Sequence, residues 1–80
     1  MADLEPIRAY FLEKIGGDRA LLPADDASLV EEGVLDSFGL AELVSAIERL
    51  YGVRVEPRDA KVSNFESIAK IGRFVDANRC

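Results

Sequence analysis

One short stretch of this chain places reactive residue types where a helix can use them: Glu32-Gly33-Val34-Leu35-Asp36-Ser37-Phe38-Gly39-Leu40. Asp36 is a favourable N-cap. Leu40, Leu43, Val44, Ile47, Leu50 and Tyr51 then recur on one helical face up to Gly52, a natural stop. The spacing predicts a helix over 37–51 with an exposed Ser37 at its first position. Helix N-termini carry unpaired N–H groups and a partial positive charge, so a phosphodiester on Ser37 would be stabilised there and not in mid-helix. A serine after aspartate is more often an ordinary helix start. Here the pair coincides with a strong helix start, a long preceding loop and a short chain.

Other chemistries lack their residues. The sequence has no histidine, which removes the commonest general base, the commonest metal ligand and every His-dependent triad. Ser37 as a nucleophilic catalyst therefore has no base beside it. Asp25-Asp26 and Glu31-Glu32 lack the alternating ligands and central glycine of a calcium loop. No glycine-rich phosphate loop and no Cys/His cluster is present. With 15 acidic and 10 basic residues the formal net charge is −5, which argues against nucleic-acid or membrane-surface binding and points to basic protein partners. Met1-Ala2-Asp3-Leu4-Glu5 lacks the features of a signal peptide, and no apolar run approaches the roughly 18 residues of a membrane span. The single cysteine, Cys80, forms no internal disulfide and no prenylation box; it reads as an inert thiol in a reducing cytoplasm.

The elements that must position Ser37 follow from the same patterns. Asp3, Pro6 and the stripe Leu4, Ile7, Phe11 and Ile15 predict helix one over 3–15, ended by Gly16-Gly17. Residues 16–36 read as a long functional loop packed on the core through Leu21, Leu22, Leu29, Val30, Val34 and Leu35, with room for a helical turn near Asp26. Val53-Arg54-Val55-Glu56 reads as an extended connector. Pro57 opens a short helix through about Lys61, and Ser63-Asn64-Phe65-Glu66 reads as a capping box ahead of a last helix with Ile68, Ile71 and Val75 inward. Gly72 beside that stripe suits close helix approach. The expected architecture is all-α: a small four-helix bundle with three main helices, one short helix and a long first loop, in a single domain over 1–80.

With these residues in view, the chain resembles the acyl carrier protein and peptidyl carrier protein superfamily, the phosphopantetheine-attachment domains, in a freestanding form. The resemblance rests on Asp36-Ser37 followed by an apolar residue, Gly33 upstream, the run Glu42-Leu43-Val44 to Ile47-Glu48, the closing Asn64-Phe65-Glu66-Ser67-Ile68, and the order of helices. It implies that a phosphopantetheinyl transferase, using coenzyme A and magnesium, has Ser37 attack the pyrophosphate and leaves a 4′-phosphopantetheine arm whose thiol carries cargo as a thioester. Asp36 then acts in transferase recognition as well as capping. The chain itself is a carrier and not an enzyme, a cytoplasmic monomer served by the transferase and by an adenylating ligase, acyltransferase or synthase.

At about 100° per residue, Phe38, Glu42, Ser45 and Arg49 point outward from helix two. Phe38 has two open readings, a partner contact or a ring folded back over Leu35. The resemblance adds Leu40 and Glu48 to the docking set, with Glu42 and Glu48 facing basic patches on partner enzymes. Gly39 and Arg49 stand where fatty-acid carriers are often acidic, so the resemblance leans toward specialised lipid, polyketide or nonribosomal peptide-type biosynthesis over the fatty-acid pathway. The competing reading from another class is a carrier-shaped adaptor that is never modified, and replacement of Ser37 separates the two.

Overall fold

The structure, a computed structural model, describes residues 3–78. Three α-helices carry the fold, α1 (Glu5–Lys14), α2 (Ser37–Tyr51) and α3 (Ile68–Asn78), with 3-10 turns at Arg19–Leu21, Pro57–Asp59 and Val62–Asn64. No described residue lies in a strand. Each helix buries one stripe: Ile7 and Phe11 from α1, Leu43, Ala46 and Ile47 from α2, Ile68, Ile71 and Val75 from α3. Leu29, Leu35, Val53, Val55 and Phe65 complete the core from the connections. Helices of 10, 15 and 11 residues are marginal alone. What holds them is this burial, about 1.5–3 kcal/mol for each large apolar side chain removed from water.

α1 begins at Glu5, two residues after the expected start, with Leu4 and not Asp3 in the cap position; Pro6 lies in its first turn as expected, and Asp3 Oδ1 accepts the Glu5 N–H at 3.0 Å. Gly72 is buried on α3, and a Cβ there would lie 2.6 Å from Leu4 Cδ2. The missing side chain is what lets the start of α1 lie against α3, as the sequence suggested.

The loop over 16–36 is tied down by specific bonds. The Leu29 N–H donates to the Glu66 carbonyl at 2.7 Å and the Ala69 N–H to the Asp25 carbonyl at 2.8 Å. The Arg8 guanidinium forks onto the Asp25 carboxylate, with Nε to Oδ1 at 3.1 Å. Bonding to Arg8 holds the Asp25 carboxyl below the usual carboxylate range. Leu29 and Leu35 are core residues, but Leu21 and Val30 are 65% and 43% exposed, contrary to the expectation that they pack inward. A turn does form about Asp25-Asp26, where the Ala27 N–H donates to the Ala24 carbonyl at 3.0 Å, and a helical turn follows from Ser28, whose Oγ accepts the Glu31 N–H at 3.2 Å and whose carbonyl accepts the Glu32 N–H at 3.0 Å.

The second half departs from expectation at two places. The short helix after Pro57 stops at Asp59, since the Asp59 carbonyl is taken by the Lys61 N–H at 2.9 Å and by the Asn64 side-chain amide at 2.8 Å. A continuing helix needs that carbonyl for residue 63. The capping box at Ser63 does not form either. Ser63 and Asn64 lie in a 3-10 turn, Phe65 drops fully into the core edge-on to Phe74, and the Ser67 hydroxyl accepts the Lys70 N–H at 3.1 Å as α3 begins. Anchoring Phe65 and bonding Glu66 to the loop displaces the helix start by one turn.

Candidate functional site

Ser37 is the first residue of α2 because Asp36 is held in extended backbone, with φ −135° and ψ −179°. Asp36 Oδ1 accepts the Gly39 N–H at 2.7 Å, and its carbonyl accepts the Leu40 N–H at 3.1 Å. The preceding turn fixes this entry: the Val34 and Leu35 N–H groups both donate to the Leu29 carbonyl, at 2.9 and 3.1 Å, and Leu35 is buried. Asp36 and Ser37 are exposed. Among the described residues the Ser37 hydroxyl makes no hydrogen bond, and the Ser37 and Phe38 N–H groups have no acceptor. Ser37 therefore stands at the positive end of a 15-residue helix whose first two N–H groups have no acceptor within the chain. The residues present fit a phosphodiester at that hydroxyl.

Phe38 is 91% exposed, so its ring stands off the protein and is not folded over Leu35. Beside Ser37 runs an open groove of about 300 Å³ lined by Leu40, Ala41, Val44 and Ala60. Leu40 is half-buried and serves both the core edge and the groove. On the α1 side of α2 is a smaller cleft of about 70 Å³, with Phe11, Val34, Leu35 and Leu43 in its wall and the Lys14–Glu42 ion pair among its lining residues.

The docking residues named from the sequence thus fall into two sets. Phe38 and Leu40 flank Ser37, and Ser45 and Arg49 lie exposed farther along α2. Glu42 is exposed but paired with Lys14 of α1. Glu48 is half-buried, and its Oε2 accepts the Val55 N–H at 2.9 Å. The sequence reading missed Ala41, Val44 and Ala60 as groove residues and Lys14 as the partner of Glu42. Ala41 and Val44 follow Ser37 by four and seven positions, a helical spacing that could have flagged them. Ala60 arrives only through tertiary packing.

Among the described residues no three His, Cys, Asp or Glu side chains gather to hold a metal ion, and Asp25 is turned onto Arg8 instead. No helix among those described is long and apolar enough to cross a membrane. Cys80 lies outside the described residues.

The family model for the phosphopantetheine attachment site matches residues 5–75. The chain belongs to that family of carrier domains, whose prosthetic group is a covalent 4′-phosphopantetheine. Such a domain carries and does not catalyse, and it works with a phosphopantetheinyl transferase and biosynthetic enzymes. No solved structure gives a significant match.

Proposed function

We propose that Ser37 is the residue that receives the arm, and that residues 1–80 form one cytoplasmic carrier domain for acyl or aminoacyl cargo. The observation that supports this is an exposed serine hydroxyl, free of hydrogen bonds, beside two unpaired N–H groups at the start of α2. When attached, the arm supplies a thiol for thioester linkage. The chain's own residues do the remaining work. Asp36 caps α2 and keeps the first turn open, Leu29 and Leu35 hold the loop so that Ser37 faces outward, and Phe38 offers an apolar contact to whichever enzyme reaches the hydroxyl. Leu40, Ser45 and Arg49 extend that contact face along α2, with Glu42 and Glu48 at its margins.

Specialised lipid, polyketide or nonribosomal peptide-type biosynthesis is the pathway class we favour, because uncharged Gly39 and basic Arg49 leave α2 less acidic than a fatty-acid carrier's. The test is the intact mass of wild type and Ser37→Ala after incubation with coenzyme A, magnesium and a promiscuous transferase. A gain of one phosphopantetheinyl group by wild type alone supports the assignment. No gain by wild type across several transferases favours an unmodified adaptor with a carrier's shape.

A further inference from the structure

The charge around Ser37 is not what the whole-chain value of −5 implies. On the exposed part of α2 only Glu42 and Arg49 are charged. Glu42 is neutralised by Lys14, and Arg49 shares a hollow with Glu13, Lys14 and Glu42 without pairing. Glu48 is half-buried and spends a carboxylate oxygen on the Val55 N–H. The outward face of α2 therefore carries no acidic surplus.

The segment that brings Ala60 to the groove beside Ser37 carries exposed basic residues. Ala60, which lines the groove, is bracketed by exposed Arg58 and Lys61. Among the described residues neither forms an ion pair, whereas nearby Arg54 and Glu56 approach each other at 3.9 Å. Asp59, the one acid between them, is half-buried. The exposed carboxylates of Glu31, Glu32 and Asp36 all belong to the loop ahead of Ser37. Exposed acids thus precede the attachment position in the loop, while exposed unpaired bases stand on either side of Ala60.

We infer that the phosphopantetheinyl transferase serving this carrier docks with an apolar pocket over Phe38 and carboxylates opposite Arg58 and Lys61, and not with a uniformly basic surface. This rests on Ser37 being the attachment residue. An apolar anchor with charges at the rim is the usual division of labour in an interface: the anchor supplies affinity, and the rim sets orientation and association rate. An exposed aromatic beside an uncharged groove, with two exposed unpaired cations next to Ala60 in the chain, offers both parts to an acidic rim.

The experiment measures kcat/KM for modification by the source organism's own transferase with coenzyme A and magnesium, following intact carrier mass over a salt series. Variants are Arg58→Glu with Lys61→Glu, and Phe38→Ala. The double reversal is expected to lower kcat/KM on the order of tenfold at low salt, mostly through KM, and to lose most of that difference at high salt. Phe38→Ala is expected to raise KM at low and high salt alike, as for loss of an apolar anchor. An unchanged or raised kcat/KM for the double reversal, or an unchanged KM for Phe38→Ala, overturns the inference. Melting curves check folding; should the double variant unfold, Arg58→Glu alone and the wild-type salt series decide. Wild type that gains no mass removes the Ser37 assignment itself and this docking mode with it, an outcome distinct from a modified wild type indifferent to Arg58 and Lys61.

Discussion

Replacing Asp36 separates the two jobs its position suggests. Its carboxylate accepts the Gly39 N–H at 2.7 Å, one of the few donors of the first turn that is satisfied within the chain. Loss of a cap costs about 1 kcal/mol, and loss of a negative charge at a helix N-terminus about 0.3–1 kcal/mol, toward the lower end for an exposed side chain. Asp36→Ala removes both, about 1.5 kcal/mol in all. Asp36→Asn keeps an acceptor and removes only the charge, about 0.5 kcal/mol. For a domain this small, 1 kcal/mol moves the melting midpoint by roughly 4–8 °C, so the two variants are expected to melt roughly 6–12 °C and 2–4 °C below wild type. Thermal denaturation by far-ultraviolet circular dichroism reads the difference, and added salt shrinks the asparagine effect. Equal losses for the two variants would show that the accepted hydrogen bond is not what matters, and the capping argument would fail. Modification kinetics on the same proteins then isolate recognition: if a transferase reads the charge, Asp36→Asn is modified slowly although it melts close to wild type.

Further outcomes follow from the other ties. Leu29→Ala empties a fully buried site under the loop, and its expected cost is about 2–5 kcal/mol by urea denaturation, with faster hydrogen exchange at the Val34 and Leu35 amides that bond its carbonyl. Glu48→Ala strands the part-buried Val55 N–H and is expected to cost about 1–3 kcal/mol, while Glu48→Gln retains most of the stability; equal effects from both would remove the hydrogen-bond account. Asp25 has its pKa depressed by Arg8, so it stabilises the fold above the usual carboxylate range and ceases to as pH falls below about 4. Asp25→Asn should cost less than about 1 kcal/mol at neutral pH, because the pair is partly solvated, and should flatten the acid limb of the stability profile.

Local signals carried much of this fold. α2 was legible to the residue, since Asp36, the apolar stripe and Gly52 each act within the helix itself. Phe11, Ile7, Ile68, Ile71 and Val75 were legible as core for the same reason. What was not legible depends on partners distant in sequence. Phe65 and Glu66 look like the middle of a capping box, but the core takes the ring and the Leu29 N–H takes the carbonyl, so α3 begins at Ile68. Leu21 and Val30 have the composition of core residues, yet the loop is pinned at Asp25 and Leu29 and turns both outward. At the site, the order Asp36-Ser37-Phe38 could be read along the chain. The pairing of Glu42 with Lys14, the use of Glu48 by Val55 and the arrival of Ala60 beside Ser37 could not.

Whether the arm sits on Ser37 is decided by tandem mass spectrometry of the modified protein. Protein treated with coenzyme A, magnesium and a transferase is digested, and the peptides covering Ser28, Ser37, Ser45, Ser63 and Ser67 are fragmented. The phosphopantetheinyl mass is expected on Ser37 alone. An arm found on Ser45, the other exposed serine of α2, would contradict it, because the free donors at the start of the helix would then have no part in holding the group.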